Sequence, residues 1–185
     1  MESNEITDRE VTLLNFYRAS ELQGGPVLGR LVQHARDPEL IMRLTAHSAE
    51  EVLHAQLWTE TILAVGGRPR PTSDTYQARY AAAIGTPSSL LEVLALTQVF
   101  ERGVYRHFVM HLRRPHTHPA VQATLRRMLA DERGHLCWVK EWLDRQTATR
   151  GAVVPALLER YGAVDAEIRK QLLEDYEWPV LACAS

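Results

Sequence analysis

EEVLHAQLWTETILAVGGRP, residues 50–69, and ADERGHLCWVKEWL, residues 130–143, decide how this sequence is read. Each carries Glu-x-x-His, as Glu51 with His54 and Glu132 with His135, inside a helical apolar periodicity. Residues i and i+3 lie about 60° apart on one helix face and one turn displaced, so both heads reach one point. The same faces carry Leu44, Trp58 and Ile62 in the first segment and Leu125, Met128, Val139 and Leu143 in the second. Carboxylates there project into an apolar core, where uncompensated charge is very costly and metal ligation is the ordinary remedy. Sixteen Glu and eight His in 185 residues give about 0.7 chance occurrences of the motif, so two copies alone prove little. The partners decide. Glu21 precedes Glu51 by thirty residues, and Glu101 precedes Glu132 by thirty-one, so one unit occurs twice: a Glu on one helix, then Glu-x-x-His on its neighbour. A Glu from each of two helices and Glu-x-x-His from each of two others is the ligand set of a carboxylate-bridged di-iron or di-manganese site.

Working outward, start and stop signals delimit long helices. Thr7-Asp8-Arg9-Glu10 is a capping box, which opens helix 1 near Asp8. Its apolar positions Val11, Leu14, Leu22 and Leu28 keep helical spacing to about His34, with a kink predicted at Gly24-Gly25-Pro26. Asp37-Pro38 opens helix 2, which Gly66-Gly67 stops. A connector of about twenty residues follows, with one short helix around 76–83. Ser89 opens helix 3, which runs to about Arg114, and Pro119 opens helix 4, which ends near Gln146. A further helix spans about 152–178 and Pro179 closes it. The predicted fold is all-α, a single domain over 1–185 with its core bundle at 7–146. Short links make antiparallel hairpins, and a long crossover between helices 2 and 3 gives an up-down-down-up four-helix bundle with an extra C-terminal helix.

Composition narrows the function. A formal net charge of −2 lacks the electrostatic footprint of a nucleic-acid binder. Cys137 and Cys183 are the only thiols, too few for a rubredoxin-like centre or a disulfide framework. No leader-like or membrane-spanning run appears, so a cytoplasmic location with no membrane partner is the expectation.

The chain resembles members of the ferritin-like di-iron carboxylate superfamily over residues 7–146. Residues 50–69 are similar to the second helix of rubrerythrins and bacterioferritins, where Glu-x-x-His precedes an Ile-Leu run and a Gly-Gly-x-Pro exit. YRASELQGGPVLGRL, residues 17–31, resembles the first helix of small rubrerythrin-like proteins, and DERGH, residues 131–135, their fourth-helix motif. The resemblance implies that Glu21, Glu51, His54, Glu101, Glu132 and His135 ligate two Fe ions per chain, or Mn in one or both positions, with Glu51 and Glu132 bridging. No haem is expected, because Val52 stands where the bacterioferritin haem ligand Met would fall.

Around these residues, Asp131 and Glu50 precede the two motifs and are placed to hold the outer N–H of a ligand imidazole. Tyr17 and Tyr105 lie one turn from Glu21 and Glu101, as donors to the site or as redox-active phenols, or else as core tyrosines. His47, one turn before Glu51, touches substrate, water or metal, or is core. His107, His111, His116 and His118 read as a solvated helix end. Cys137 should point away from the ions, and Gly103 and Gly134 suggest close packing of another element. The leading functional expectation is an oxidoreductase activating O2 or peroxide, with a small-molecule substrate, an external electron donor and a homodimeric state. The alternatives are a ferroxidase or iron-storage protein, and a bundle that binds metal without turnover.

Overall fold

Side chains close the helix starts where the sequence places them. In the computed structural model, which describes residues 6–176, Thr7 Oγ1 accepts from the Glu10 amide and Asp37 Oδ1 from the Glu39 amide. Ser89 Oγ accepts from the Glu92 amide, and the Glu92 carboxylate accepts in return from the Ser88 amide. The helices so started are α1 (Asp8–Val32), α2 (Pro38–Ala64), α3 (Tyr76–Ile84), α4 (Leu90–Leu112), α5 (Pro119–Arg150) and α6 (Val153–Tyr176). No strand occurs among the described residues, so the fold is all-α. Residues 177–178 of the predicted last helix, its closing Pro179, and Cys183 lie outside the described residues.

α1 with α2, α2 with α5 and α1 with α4 pack as antiparallel neighbours. Val11 of α1 lies against Gly67 just past α2, while Gly25 and Gly29 lie against Ser48. Between α2 and α5 the rungs are Thr61 with Thr124, His54 with Asp131, Glu50 with His135 and Glu39 with Arg145. Glu10 and Tyr17 of α1 meet His111 and His107 of α4 in the same opposed sense. α6 packs on α4, and α3 spans α1 and α6.

Two apolar clusters fill the bundle, one on each side of a polar layer. One holds Phe16, Trp58, Phe108 and Leu125; the other holds Leu28, Leu44, Leu94 and Val139. Along each long helix the Glu and His positions of interest fall between them: Glu21 after Phe16, Glu51 and His54 between Leu44 and Trp58, Glu101 between Leu94 and Phe108, and Glu132 between Leu125 and Val139.

α1 stays helical through Gly24-Gly25-Pro26. The glycines there serve close approach: a Cβ on Gly24 would collide with Glu51 Oε2, and one on Gly25 would lie 2.7 Å from Val52 Cγ2 and 2.9 Å from the Ser48 carbonyl oxygen. Leu22 is exposed rather than core, and α5 continues to Arg150, where Gly151 at φ 57° ends it. Gly103 does meet another element, since its Cβ would lie 3.1 Å from Asp165 of α6, but Gly134 faces open space.

This contrast between glycines is testable by urea denaturation. Gly25→Ala is expected to cost about 1–3 kcal/mol, because it overpacks against backbone. Gly134→Ala, exposed and helical, is expected to stabilise by about 0.5–1 kcal/mol. Equal effects at the two positions would refute the close-approach reading of Gly25.

Candidate metal centre

Glu21, Glu51, His54, Glu101, Glu132 and His135 converge in the polar layer, and every one of them is buried. With His47 they form two overlapping groups. In the first, His47, Glu51, Glu101 and His135 place ligand-type atoms within 4.8 Å of one another; in the second, Glu21, Glu51, His54 and Glu132 do so. Glu51 belongs to both. Glu132 turns Oε1 to His54 Nδ1 at 3.5 Å and Oε2 to His135 Nδ1, also at 3.5 Å. Both carboxylates thus have the placement a bridge between two cations requires.

The inward atoms approach one another as ion pairs that lack hydrogen-bond geometry. His47 Nε2 lies 3.0 Å from Glu101 Oε1 and 3.3 Å from Glu51 Oε1, yet neither approach has hydrogen-bond geometry. His54 Nδ1, His135 Nδ1, Glu101 Oε2 and Glu132 Oε2 are likewise buried without a hydrogen bond, as is His47 Nδ1. Buried polar atoms are nearly always satisfied, so such a cluster of exceptions calls for an explanation. The outer nitrogens differ. His135 Nε2 is 2.6 Å from Glu50 Oε2, and His54 Nε2 is 3.4 Å from Asp131 Oδ2. The clamps cross, each helix's acid holding the imidazole of the other, which fixes both rings with Nδ1 turned inward.

Without a cation, the cluster retains protons. Burial alone would lower His47, but Glu101 and Glu51 beside it hold it up at about 10. Burial opposes His54 too, and Glu132 and Glu21 raise it to about 11; His135, against the same opposition, is raised by Glu132 to about 9. Burial and the Glu51 charge lift Glu21 to about 8. Burial also raises Glu101, whereas at Glu132 the imidazoles of His135 and His54 outweigh it and bring the carboxyl down to about 2.

His47 is the residue whose part the sequence left undecided; its signal is the position one turn before Glu51 on the same face. Its ring stacks on His135 at 3.6 Å between centroids. The tyrosines lie elsewhere. Tyr17 hydroxyl is 3.1 Å from His107 Nε2 and 3.1 Å from His111 Nδ1, and His111 Nε2 continues to Glu10 Oε1 at 3.4 Å. Tyr105 is half-buried against Arg133, on the outer side of α5. The solvated-end expectation therefore fails for His107 and His111, which are buried, and holds for exposed His116; His118 caps α5. Cys137 is exposed.

A cavity of about 270 Å3 lies between α1, α3 and α4, with Glu51 and Glu101 in its wall and otherwise mostly apolar side chains. Comparison with protein-family models, with curated protein sequences and with solved structures returned no match. No helix among the described residues is long and apolar enough to cross a membrane.

One consequence concerns acid stability. Burial, with His111 and Arg114 nearby, pushes His107 well below the ordinary 6.5, so the unfolded chain takes up this proton first. Its contribution is then complete above pH 6.5 and declines as the pH falls below it. His107→Gln is expected to flatten the acid side of a stability curve taken by urea titration below pH 6.5; an unchanged slope would show that His107 takes up its proton equally in both states.

Proposed function

We propose that this chain is a ferritin-like di-metal carboxylate protein, an oxidoreductase that activates O2 or hydrogen peroxide with electrons from an external donor. The reading rests on one observation: two groups of buried Glu and His side chains share Glu51, and the inward atoms of six of the seven residues include orphaned or bridging positions. The antiparallel contacts of α1 with α2, α2 with α5 and α1 with α4 support the up-down-down-up topology of that class.

The residues fit a pair of divalent cations. Four carboxylates balance two double charges, and three neutral imidazoles complete the set. Glu21, His54 and Glu132 would hold one cation and His47, Glu101 and His135 the other, with Glu51 between them. Mixed carboxylate and imidazole donors suit Fe or Mn. Bound there, such a pair supplies the electron transfer that the side chains cannot. The chain contributes the rest. Glu50 and Asp131 keep His135 and His54 in the tautomer whose Nδ1 lone pair faces inward. The apolar layers on either side keep bulk water from the carboxylates. His47 makes the two positions unequal, with two imidazoles at one and one at the other.

Titration calorimetry and elemental analysis of the whole chain are expected to give two cations per chain for Mn(II) or anaerobic Fe(II). Because the carboxylates beside His47, His54 and His135 favour their protonated forms, loading should release protons, read from the heat in buffers of different ionisation enthalpy. Glu51→Gln should abolish both sites, and it should also lower the stability of the metal-free protein, because it leaves the imidazolium charges of His47 and His135 with one acid fewer. Wild-type protein that takes up no metal would end the proposal.

The activity has its own test. Fe(II)-loaded protein mixed with H2O2 or O2 in the presence of excess Fe(II) is expected to stop after the two bound ions are oxidised, and to turn over again only when a reductant is added. Continued oxidation of the excess would instead establish iron storage.

A further inference from the structure

The cavity between α1, α3 and α4 belongs to no helix contact and to no step described above, and its position is unusual. Its inner wall is the pair Glu51 and Glu101, both of the His47 and His135 group; Glu21, His54 and Glu132 are absent from its lining. Glu51 is shared by both groups and Glu101 belongs to one, so the cavity ends beside the centre. Much of the remaining wall is apolar, with Val27, Leu28, Leu96, Phe100 and the Tyr80 ring, and Thr86 and Thr97 add hydroxyl-bearing side chains. The Tyr80 hydroxyl is already engaged, donating to Asp165 Oδ1 at 2.7 Å.

Gly24 sets the inner end. Any side chain there would meet Glu51 Oε2, so the missing Cβ leaves room for that carboxylate and for what lies beside it. Next to Gly24 stands Gln77, whose Nε2 donates to the Ser20 carbonyl at 3.0 Å. That bond fixes the amide's orientation and leaves Oε1 buried with no hydrogen-bond partner. The chamber thus offers a largely apolar wall, one unsatisfied acceptor and one end closed by carboxylates.

We infer that this cavity binds a small, mostly apolar molecule carrying one hydrogen-bond donor, with the donor on Gln77 Oε1 and the molecule's inner edge against Glu51 and Glu101. The size follows from volume: a dry cavity of about 150 Å3 holds one benzene ring, so about 270 Å3 takes a fused bicyclic skeleton. An anion is disfavoured by the two acids, and a strongly polar ligand by the wall. The inference rests on the proposed di-metal reading for its functional meaning, since it makes this molecule the substrate of the centre. The binding itself does not require that reading.

The experiment uses 2-naphthol and naphthalene as probes of the full chain, metal-free and Mn(II)-loaded, by calorimetry and by proton NMR of the probe. One molecule of 2-naphthol per chain is expected in both forms. Leu96→Trp, which fills the chamber, should weaken it at least tenfold while leaving the Mn(II) stoichiometry at its wild-type value. Gln77→Leu should erase a preference for 2-naphthol over naphthalene of about threefold to tenfold, the worth of one hydrogen bond. In the Mn(II)-loaded chain, the resonances of the bound probe should be broadened. Absence of binding to folded wild-type protein, binding unaffected by either variant, or tighter binding of decanoate than of 2-naphthol would overturn the inference. A chain that binds 2-naphthol but no Mn(II) would uphold the cavity and overturn the metal reading, which keeps the two failures distinct.

Discussion

Four carboxylates meet inside this bundle, and the ion-pair partners they have among the described residues are imidazoles. Everything else in the layer follows from that constraint. A buried Glu with an Arg or Lys beside it would be a self-contained pair; here the positive charge must arrive as protons on His and Glu or as cations from outside. The pKa directions describe the first case, in which His47, His54 and His135 are charged to offset their neighbours. That solution leaves inward nitrogens and oxygens close together without hydrogen-bond geometry, because each aims at a common point instead of at another. The apolar clusters on both sides make the compromise expensive, since they deny the acids water.

Much of this was legible in the sequence because the relevant signals are local. Caps at Thr7, Asp37 and Ser89 are set by residues within a few positions, and the Glu-x-x-His spacing follows from the helical repeat alone. The thirty-residue offsets worked because two helices joined by a short link must lie side by side. What failed depended on contacts between distant segments. The Gly24-Gly25-Pro26 run looks like a break when read along one chain, but α2 lies against it and the missing side chains are what let Glu51 and Val52 approach. His107 and His111 sit near a helix end, where His is ordinarily solvated, and only the Tyr17 hydroxyl opposite them explains their burial.

His47 shows the same limit within the site. A single His on an apolar face is ambiguous, and its role depends on Glu101, fifty-four positions away, and on the ring of His135 beneath it. The twofold repeat of Glu and Glu-x-x-His also hides the difference between the halves: where α2 has His47, α5 has Met128, buried in the apolar cluster. Together with a cavity that reaches Glu51 and Glu101, this breaks the near-symmetry of the two halves of the layer.

The crossed clamps have a further effect. Glu50 and Asp131 are partly exposed, while the rings they hold are almost fully buried, so each imidazole passes through the wall of the bundle with one nitrogen facing solvent-side acid and the other facing the interior. An imidazole can take a proton at one nitrogen and give one up at the other. His54 and His135 therefore each tie a solvent-side acid to the buried layer across the α2–α5 seam, so that a charge change at Asp131 or Glu50 is felt inside through a single ring.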